Sequence, residues 1–150
     1  MIKIYIFADS YKHFDDAIKE YSKRLGKKAK IMKLNPSKKQ TPRDIIEEET
    51  SAIKEKISKE KGFKILLNPS GKELNTFEFT NLIEETKHNY PDIVFAIGGA
   101  YGFDYSKLKN SFNLDLSLGK FIMPHALVLT IVLEQVYRAD MIERGSDYHK

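Results

Sequence analysis

The sequence predicts an α/β fold in which a mostly parallel β-sheet carries helices on both faces. Two observations support this prediction. Short apolar runs typical of buried strands alternate with helical patterns of about ten residues or more, and strands connected in this way pair in parallel. The chain contains no internal repeat, low-complexity tract or linker, so we expect residues 1–150 to form one domain.

The first half of the chain alternates between strand and helix. A short β-branched run predicts a buried strand over residues 2–8, and residues 9–10 form a turn that can cap the next helix. The spacing of apolar residues places that helix over residues 11–25, where Gly26 ends it. Residues 29–34 predict the second strand.

The next helix has a clear start signal, because Thr41 can cap it and Pro42 suits its first position. We expect it to run to about residue 61, before Gly62. Acidic residues near its start and lysines near its end complement the helix dipole, and we interpret them as a solvated face. That face comprises Glu47, Glu48, Glu49, Lys56, Lys59 and Lys61.

The middle of the chain predicts two more strands and a helix between them. Residues 63–67 predict the third strand, and the polar residues 68–73 predict a turn. Asn75 caps a helix, and the apolar run 93–97 predicts the fourth strand.

The last third contains two glycine-marked turns. Residues 98–103 follow the fourth strand, and residues 118–120 follow a fifth strand, with a polar helix expected between them. Glycine in such turns lets the backbone adopt positive φ or approach a ligand closely. These turns are therefore candidates for a binding site.

The last helix, predicted over residues 124–140, is apolar over nearly its whole circumference. A helix with this pattern is buried on all sides, which the final helix of a small domain rarely achieves within one chain. The pattern therefore predicts a homodimer with this helix at the interface. Its apolar residues are Ala126, Leu127, Val128, Leu129, Ile131, Val132, Leu133 and Val136.

Composition favours a cytoplasmic protein. The apolar fraction is 41% and the charged fraction 31%, and the absence of cysteine excludes disulfides and thiolate metal sites. The chain contains no run of about 20 apolar residues, so we expect no membrane span, and the apolar start is too short for a signal peptide. The four histidines show no metal-ligand spacing, so we expect no metal.

Positive charge is concentrated in residues 12–43, which contain eleven Lys or Arg and three acidic residues, in a chain of net charge +4. A clustered basic face attracts phosphate backbones. A solubilising face in a lysine-rich protein explains the same cluster equally well. Charge alone therefore leaves nucleic-acid binding as one of two interpretations.

Three predicted strands end in turn residues, at 67–71, 97–102 and 116–120. Ligands of an open α/β sheet bind beyond the carboxyl ends of the strands, and parallel strands would place all three turns at one edge. The sequence therefore predicts a ligand site at that edge.

Two common nucleotide-binding motifs are absent. The stretch after the fourth strand reads G-G-x-x-G rather than the dinucleotide fingerprint, and Gly71-Lys72 is followed by Glu73 rather than Ser or Thr. This disfavours an enzyme acting on a nucleotide phosphate. His125, after Pro124, is expected to make a hydrogen bond at the helix start, with a chemical role as the alternative.

Five short motifs occur in a specific order along the chain. They are Leu67-Asn68-x-x-Gly71-Lys72, Ile97-Gly98-Gly99-x-x-Gly102, Ser117-Leu118-x-x-x-x-x-Pro124-His125, Tyr137-Arg138-Ala139 and a terminal Tyr148-His149-Lys150. Their order, spacing and position resemble the ribosomal RNA large subunit methyltransferase H family over the whole chain. Three places depart from the family pattern: Asn68, Ala100-Tyr101 and Gly145-Ser146-Asp147.

The resemblance implies a SPOUT-class enzyme that uses S-adenosylmethionine to methylate N3 of a pseudouridine in helix 69 of large-subunit (23S) ribosomal RNA. It implies a trefoil knot in the C-terminal third, an exception to the rule that chains do not thread. It also implies a homodimer in which the tail of one subunit reaches the methyl-donor site of the other. The implied cofactor-binding positions are Leu67, Gly99, Leu118, Gly119, Lys120, Phe121, Ile122 and Met123.

Four residues are candidates for the target side of the reaction: His125, Arg138, Tyr148 and His149. Because a pseudouridine N3–H is weakly acidic, a nearby base or cation would favour its nucleophilic anion. We expect Arg138 to anchor phosphate or base, with an interface salt bridge as the alternative, and Tyr148 and His149 to contact the target nucleotide.

A non-catalytic module that binds RNA or the ribosome is the alternative function, since the basic segment fits it equally well. The expected partners of the enzyme are a second copy of the chain and ribosomal RNA in an assembled ribosome. Calorimetry with S-adenosylmethionine separates the two functions, because a pure binding module should show no heat of binding.

Overall fold

The computed structural model describes residues 1–149, and of His149 it describes the backbone alone. The described residues contain five strands that form one sheet in the order β2-β1-β4-β3-β5, with every neighbouring pair parallel. The predicted parallel sheet is therefore confirmed. The strands are β1 (Ile2–Phe7), β2 (Ala29–Leu34), β3 (Phe63–Glu73), β4 (Ile93–Ile97) and β5 (Leu114–Ser117).

Helices cover both faces of the sheet, as predicted. Side chains alternate along each strand, so Ile4 and Phe95 enter one core while Tyr5 and Val94 enter the other. The first core is closed by α1, α3 and α4, and the second by α2. The α-helices are α1 (Asp15–Leu25), α2 (Pro42–Ser58), α3 (Thr76–Asn89) and α4 (His125–Glu143).

The first helix begins later than predicted. Residues 12–14 form a short 3-10 turn, and α1 begins at Asp15, so the turn at residues 9–10 does not cap it. Lys12 opens the 3-10 turn with a φ of 49°. This left-handed conformation is uncommon outside glycine. Gly26 ends α1 as predicted, with a φ of 55°.

The helix α2 begins as predicted but ends earlier, at Ser58. Thr41 Oγ1 accepts a hydrogen bond from the Asp44 N–H at 3.2 Å. The interpretation of its charged residues as a solvated face is wrong for Glu49, which is only 2% exposed. Glu49 lies four residues before the buried Ile53, so it shares the helix face that packs on the sheet.

Two segments of the second half differ from the prediction. Residues 68–73, expected to form a turn, continue β3, and Lys72 and Glu73 pair with β5. The pairing shifts register, so that Leu116 lies opposite both Leu67 and Lys72. The polar helix expected between β4 and β5 is reduced to the 3-10 turn Tyr105–Leu108.

The helix α4 is covered more completely within the chain than predicted. It packs against α1 and α3, and none of residues 125–142 is exposed. Leu127, Val128 and Ile131 are only partly buried by their own chain, so the homodimer stays a prediction. The strand order does not establish the trefoil knot or the single domain, so both also stay predictions. No helix within residues 1–149 has both the length and the apolar character needed to cross a bilayer.

Replacing Asn75 with alanine is expected to lower the free energy of unfolding by about 1 kcal/mol. Asn75 Oδ1 accepts from the Glu78 N–H at 2.8 Å, and Glu78 Oε1 accepts from the Asn75 N–H at 2.9 Å. The substitution breaks this capping box. Urea unfolding measures the loss. The control is Asn110→Ala at an exposed turn position, expected to change stability by less than about 0.5 kcal/mol. Equal losses in both variants would contradict the capping role.

Candidate functional site

The carboxyl ends of β3, β4 and β5 enclose a cavity of about 400 Å³. Its walls come from residues 67–69, 97–102 and 116–123, together with the start of α4. The three turns predicted to meet at one edge of the sheet therefore do so. The lining is mostly apolar side chains and glycine backbone, and the volume suits a small-molecule cofactor.

The first wall is a tight turn at residues 98–102, which we call the double-glycine turn. The Gly102 N–H donates to the Gly99 carbonyl at 3.1 Å. A Cβ on Gly98 would lie 2.9 Å from the Cα of Gly102, and Gly102 has a φ of 71°. Glycine is required at both positions, so the turn presents backbone groups to the cavity.

The second wall is the loop at residues 118–123. The buried Ser117 hydroxyl lies 3.0 Å from the carbonyl oxygens of Pro69 and Gly119, and it accepts from the Gly119 N–H at 3.0 Å. These bonds join the loop to β3. Phe121 and Ile122 are 83% and 96% exposed, so the lip of the cavity is apolar and open.

Most positions implied for the cofactor lie in this lining. Lys120 belongs to the same loop but does not line the cavity. A cofactor role for these positions stays a prediction. The positions in the lining are Leu67, Gly99, Leu118, Gly119, Phe121, Ile122 and Met123.

His125 lies at the start of α4 and lines the cavity. The predicted hydrogen bond at the helix start is wrong, because Pro124 precedes the helix and no side chain caps it. Burial, and secondly the positive charge of Lys12, lower the pKa of His125 below its ordinary 6.5. The imidazole is therefore neutral at pH 7 and can accept a proton or a hydrogen bond. Sequence reasoning missed Lys12, whose left-handed backbone has no sequence signal.

Arg138 and Tyr148 lie together in a second group of residues. The Arg138 Nη1 donates to the Tyr148 carbonyl at 2.8 Å, and the guanidinium lies 4.8 Å from the centroid of the Tyr148 ring. The Tyr148 ring also packs edge-on against Tyr137, with centroids 4.8 Å apart. Tyr148 is thus held by its own chain. We define the tail cluster as Tyr21, Arg24, Glu134, Tyr137, Arg138 and Tyr148.

One chain does not bring the four target-side candidates together. His125 and Arg138 are thirteen residues apart on α4, which is about 20 Å at 1.5 Å per residue. Arg138 Nε donates to Glu134 at 2.9 Å, so its ion pair lies within the chain. The side chain of His149 lies outside the described residues.

The basic segment forms an exposed surface along one edge of the sheet. β2 is an edge strand, and Lys30 and Lys33 on it are exposed. Lys33 Nζ lies 5.0 Å from the centroid of the Tyr11 ring. The basic loop, residues 35–40, follows β2 at the carboxyl edge of the sheet, where the cavity also lies. This surface can therefore hold an anionic polymer beside the cavity.

Two buried polar residues of α2 hold loops at this edge, and sequence reasoning missed both. Glu49 Oε2 accepts from the Ser37 N–H at 2.9 Å, and Thr50 Oγ1 accepts from the Asp104 N–H at 2.9 Å. The signal was available, because both positions fall on the face of α2 that packs on the sheet. Within residues 1–149, no group of three or more His, Asp or Glu could hold a metal ion.

Comparison with known families and relatives gives consistent matches over most of the chain. A family model described as "Predicted SPOUT methyltransferase" matches residues 1–149. The Ribosomal RNA large subunit methyltransferase H of Streptococcus sanguinis (strain SK36) is 37% identical over 148 residues, covering 93% of this chain and 92% of the relative. That of Streptococcus equi subsp. zooepidemicus (strain MGCS10565) is 39% identical over 144 residues, covering 90% and 89%.

Two solved structures share the fold at low sequence identity. A putative RNA methyltransferase from Bacillus anthracis matches with a TM-score of 0.58 and 12% identity, covering 93% of this chain and 94% of that one. A putative methyltransferase from Legionella pneumophila, solved with bound SAM, matches with a TM-score of 0.54 and 17% identity, covering 93% and 66%. These likenesses concern the fold.

Proposed function

The chain belongs to the SPOUT methyltransferase family, and on this premise we propose that it is an S-adenosylmethionine-dependent methyltransferase of large-subunit ribosomal RNA. The family matches confirm the resemblance that the sequence motifs indicated. The target that we propose is N3 of a pseudouridine in helix 69 of the 23S RNA. One observation carries the proposal: the cavity at the carboxyl edge of the sheet contains seven of the eight implied cofactor positions. Ribosomal RNA as substrate implies a cytoplasmic protein.

The residues of the cavity fit S-adenosylmethionine. The double-glycine turn is a cradle that a Cβ at Gly98 would distort, and it offers backbone groups to a ligand. Leu67, Leu118 and Met123 provide apolar walls that exclude water. When bound, the cofactor supplies an electrophilic methyl group, and the protein mainly provides proximity and orientation.

The residues beside the cavity suit an acidic N–H as nucleophile. The neutral imidazole of His125 can accept the N3 proton, and the positive charge of Lys12 favours the resulting anion. The exposed lysines of β2 and the basic loop hold the RNA backbone, so that the target base reaches the cavity.

The proposed active unit is a homodimer in which the tail cluster of one subunit completes the cavity of the other. Two observations support this arrangement. Arg138 and Tyr148 lie near the far end of α4 from His125 in their own chain. Phe121 and Ile122 leave an apolar lip exposed, which a second subunit can cover.

Incubating purified ribosomes with the protein and labelled S-adenosylmethionine tests the function. We expect one labelled nucleotide in 23S RNA, mapped to a pseudouridine of helix 69, and weaker labelling of free RNA. Label at another position would overturn the proposed target nucleotide but would still support methyltransferase activity. No label, together with no heat of S-adenosylmethionine binding in calorimetry, would favour the non-catalytic RNA-binding module.

A further inference from the structure

A buried carboxyl group on α2 contacts both the basic loop and the double-glycine turn. Glu49 is 2% exposed, and its Oε2 accepts from the Ser37 N–H at 2.9 Å. On the other side, a Cβ on Gly99 would lie 2.6 Å from Glu49 Oε1. One side chain therefore lies between the loop beside the proposed RNA surface and the wall of the cavity.

The buried environment of Glu49 is unfavourable for a carboxyl group. Its Oε1 is buried and has no hydrogen-bond partner among residues 1–149. Burial raises the pKa of Glu49, while the bond from Ser37 opposes the shift. Leaving a buried polar atom unpaired destabilises a fold, so such a group calls for an explanation other than stability.

The two segments that Glu49 joins are both attached to the proposed site. In the basic loop, the Lys39 N–H donates to Ser37 Oγ at 3.1 Å, so anchoring Ser37 also places the exposed Lys38 and Lys39. In the double-glycine turn, Gly99 lines the cavity. The next residue of α2, Thr50, holds the chain just after that turn.

We propose that Glu49 is a positioning residue that fixes the basic loop relative to the double-glycine turn, so that RNA on Lys38 and Lys39 meets the methyl donor. The inference rests on the proposed function. Glu49 acts through Ser37 and Gly99, and it does not touch the substrate.

Substitution of Glu49 separates positioning from stability. We expect Glu49→Ala to raise both the calorimetric Kd for S-adenosylmethionine and the KM for ribosomes by about tenfold, with kcat changed less than about threefold. Glu49→Gln keeps the volume and an oxygen that accepts from Ser37, so both constants should return to within about twofold of wild type. The control is Glu47→Ala, an exposed position on the same helix, expected to change neither constant.

A second pair of variants tests the contact with the turn. Gly99→Ala places a methyl group where Glu49 Oε1 lies, and should weaken cofactor binding. Removing the carboxyl in the Glu49→Ala/Gly99→Ala double variant frees that space. The double variant should bind about tenfold more tightly than the product of the two single effects predicts. Additive effects would show that the two residues do not act on each other.

The outcomes distinguish this proposal from the proposed function. If the wild-type protein binds the cofactor and methylates ribosomes, and Glu49→Ala has the same Kd and KM, the positioning role is overturned and the proposed function stands. Impairment of Glu49→Gln equal to that of Glu49→Ala would also overturn it, because shape and hydrogen bonding are retained. Absence of cofactor binding by the wild-type protein would overturn both. Thermal unfolding of each variant shows whether a loss follows from unfolding instead.

Discussion

Deletion of residues 147–150 is expected to lower methyl transfer to ribosomes by at least about 100-fold, equivalent to about 2.7 kcal/mol of lost transition-state stabilisation. The deletion removes the Tyr148 ring and the carbonyl that binds Arg138. It leaves the cavity intact, since the cavity is lined by residues 67–128. The Kd for S-adenosylmethionine should therefore stay within about threefold of wild type.

Two measurements separate loss of the tail from loss of the fold. Thermal unfolding checks that α4 remains packed, because its buried residues end before the deleted segment. The Tyr148→Phe variant keeps the ring over Arg138 and the backbone carbonyl, and should retain most of the activity if packing is what matters. Full activity of the truncated protein would refute a role for the tail. A matching loss of cofactor affinity would place the tail at the cofactor instead.

The strands and their parallel pairing were predictable because their signals are local. Strands β1 and β4 are short apolar runs that end at polar residues or glycine, and the alternation with helices determines the pairing direction. The starts of α1 and α2 show the limit of that reasoning. Thr41 caps α2 through a bond that its sequence neighbours determine. In contrast, α1 follows a 3-10 turn that packs against α4 and that Lys12 opens in a left-handed conformation.

The features that sequence reasoning missed depend on contacts between distant segments. Residues 68–73 look like a turn, yet they continue the strand, and Lys72 and Glu73 pair with β5 beyond a register shift. Glu49 falls on the face of α2 that packs on the sheet, which signals its burial, but its contacts with the basic loop and Gly99 could not be read from that pattern. The edge of the sheet where the cavity lies was predictable from the turn residues at the strand ends. The positions proposed for the cofactor came only from the family resemblance, because no local motif marks them.

Replacing Gly98 with alanine is expected to weaken S-adenosylmethionine binding by at least about 100-fold. The new Cβ would lie 2.9 Å from the Cα of Gly102 and 3.1 Å from its carbonyl carbon. Both are backbone atoms, so no side-chain rotation relieves the clash and the double-glycine turn must open. Phe103, 3.4 Å from the same Cβ, belongs to the core and resists the movement. Overpacking of this kind also destabilises the fold by about 1–3 kcal/mol.

Gly26→Ala is the matched control for that variant. Its φ of 55° makes alanine unfavourable, but nothing lies within 4 Å of the added Cβ. It should lower the thermal unfolding midpoint without changing the Kd for S-adenosylmethionine. An equal loss of affinity in both variants would show that Gly98→Ala acts through the global stability of the fold. Normal cofactor binding by Gly98→Ala would show that the cavity is not the cofactor site.

Mixing the Gly98→Ala protein with the protein truncated before residue 147 tests the proposed dimer. Each protein alone should be inactive, one for lack of cofactor and the other for lack of a tail. In a mixed dimer, the cavity of the truncated chain faces the intact tail of its partner, which restores one site of two. Random pairing in equal amounts should therefore recover about a quarter of wild-type activity. If the tail served its own chain, mixing would recover none, because no chain would hold both an intact cavity and a tail.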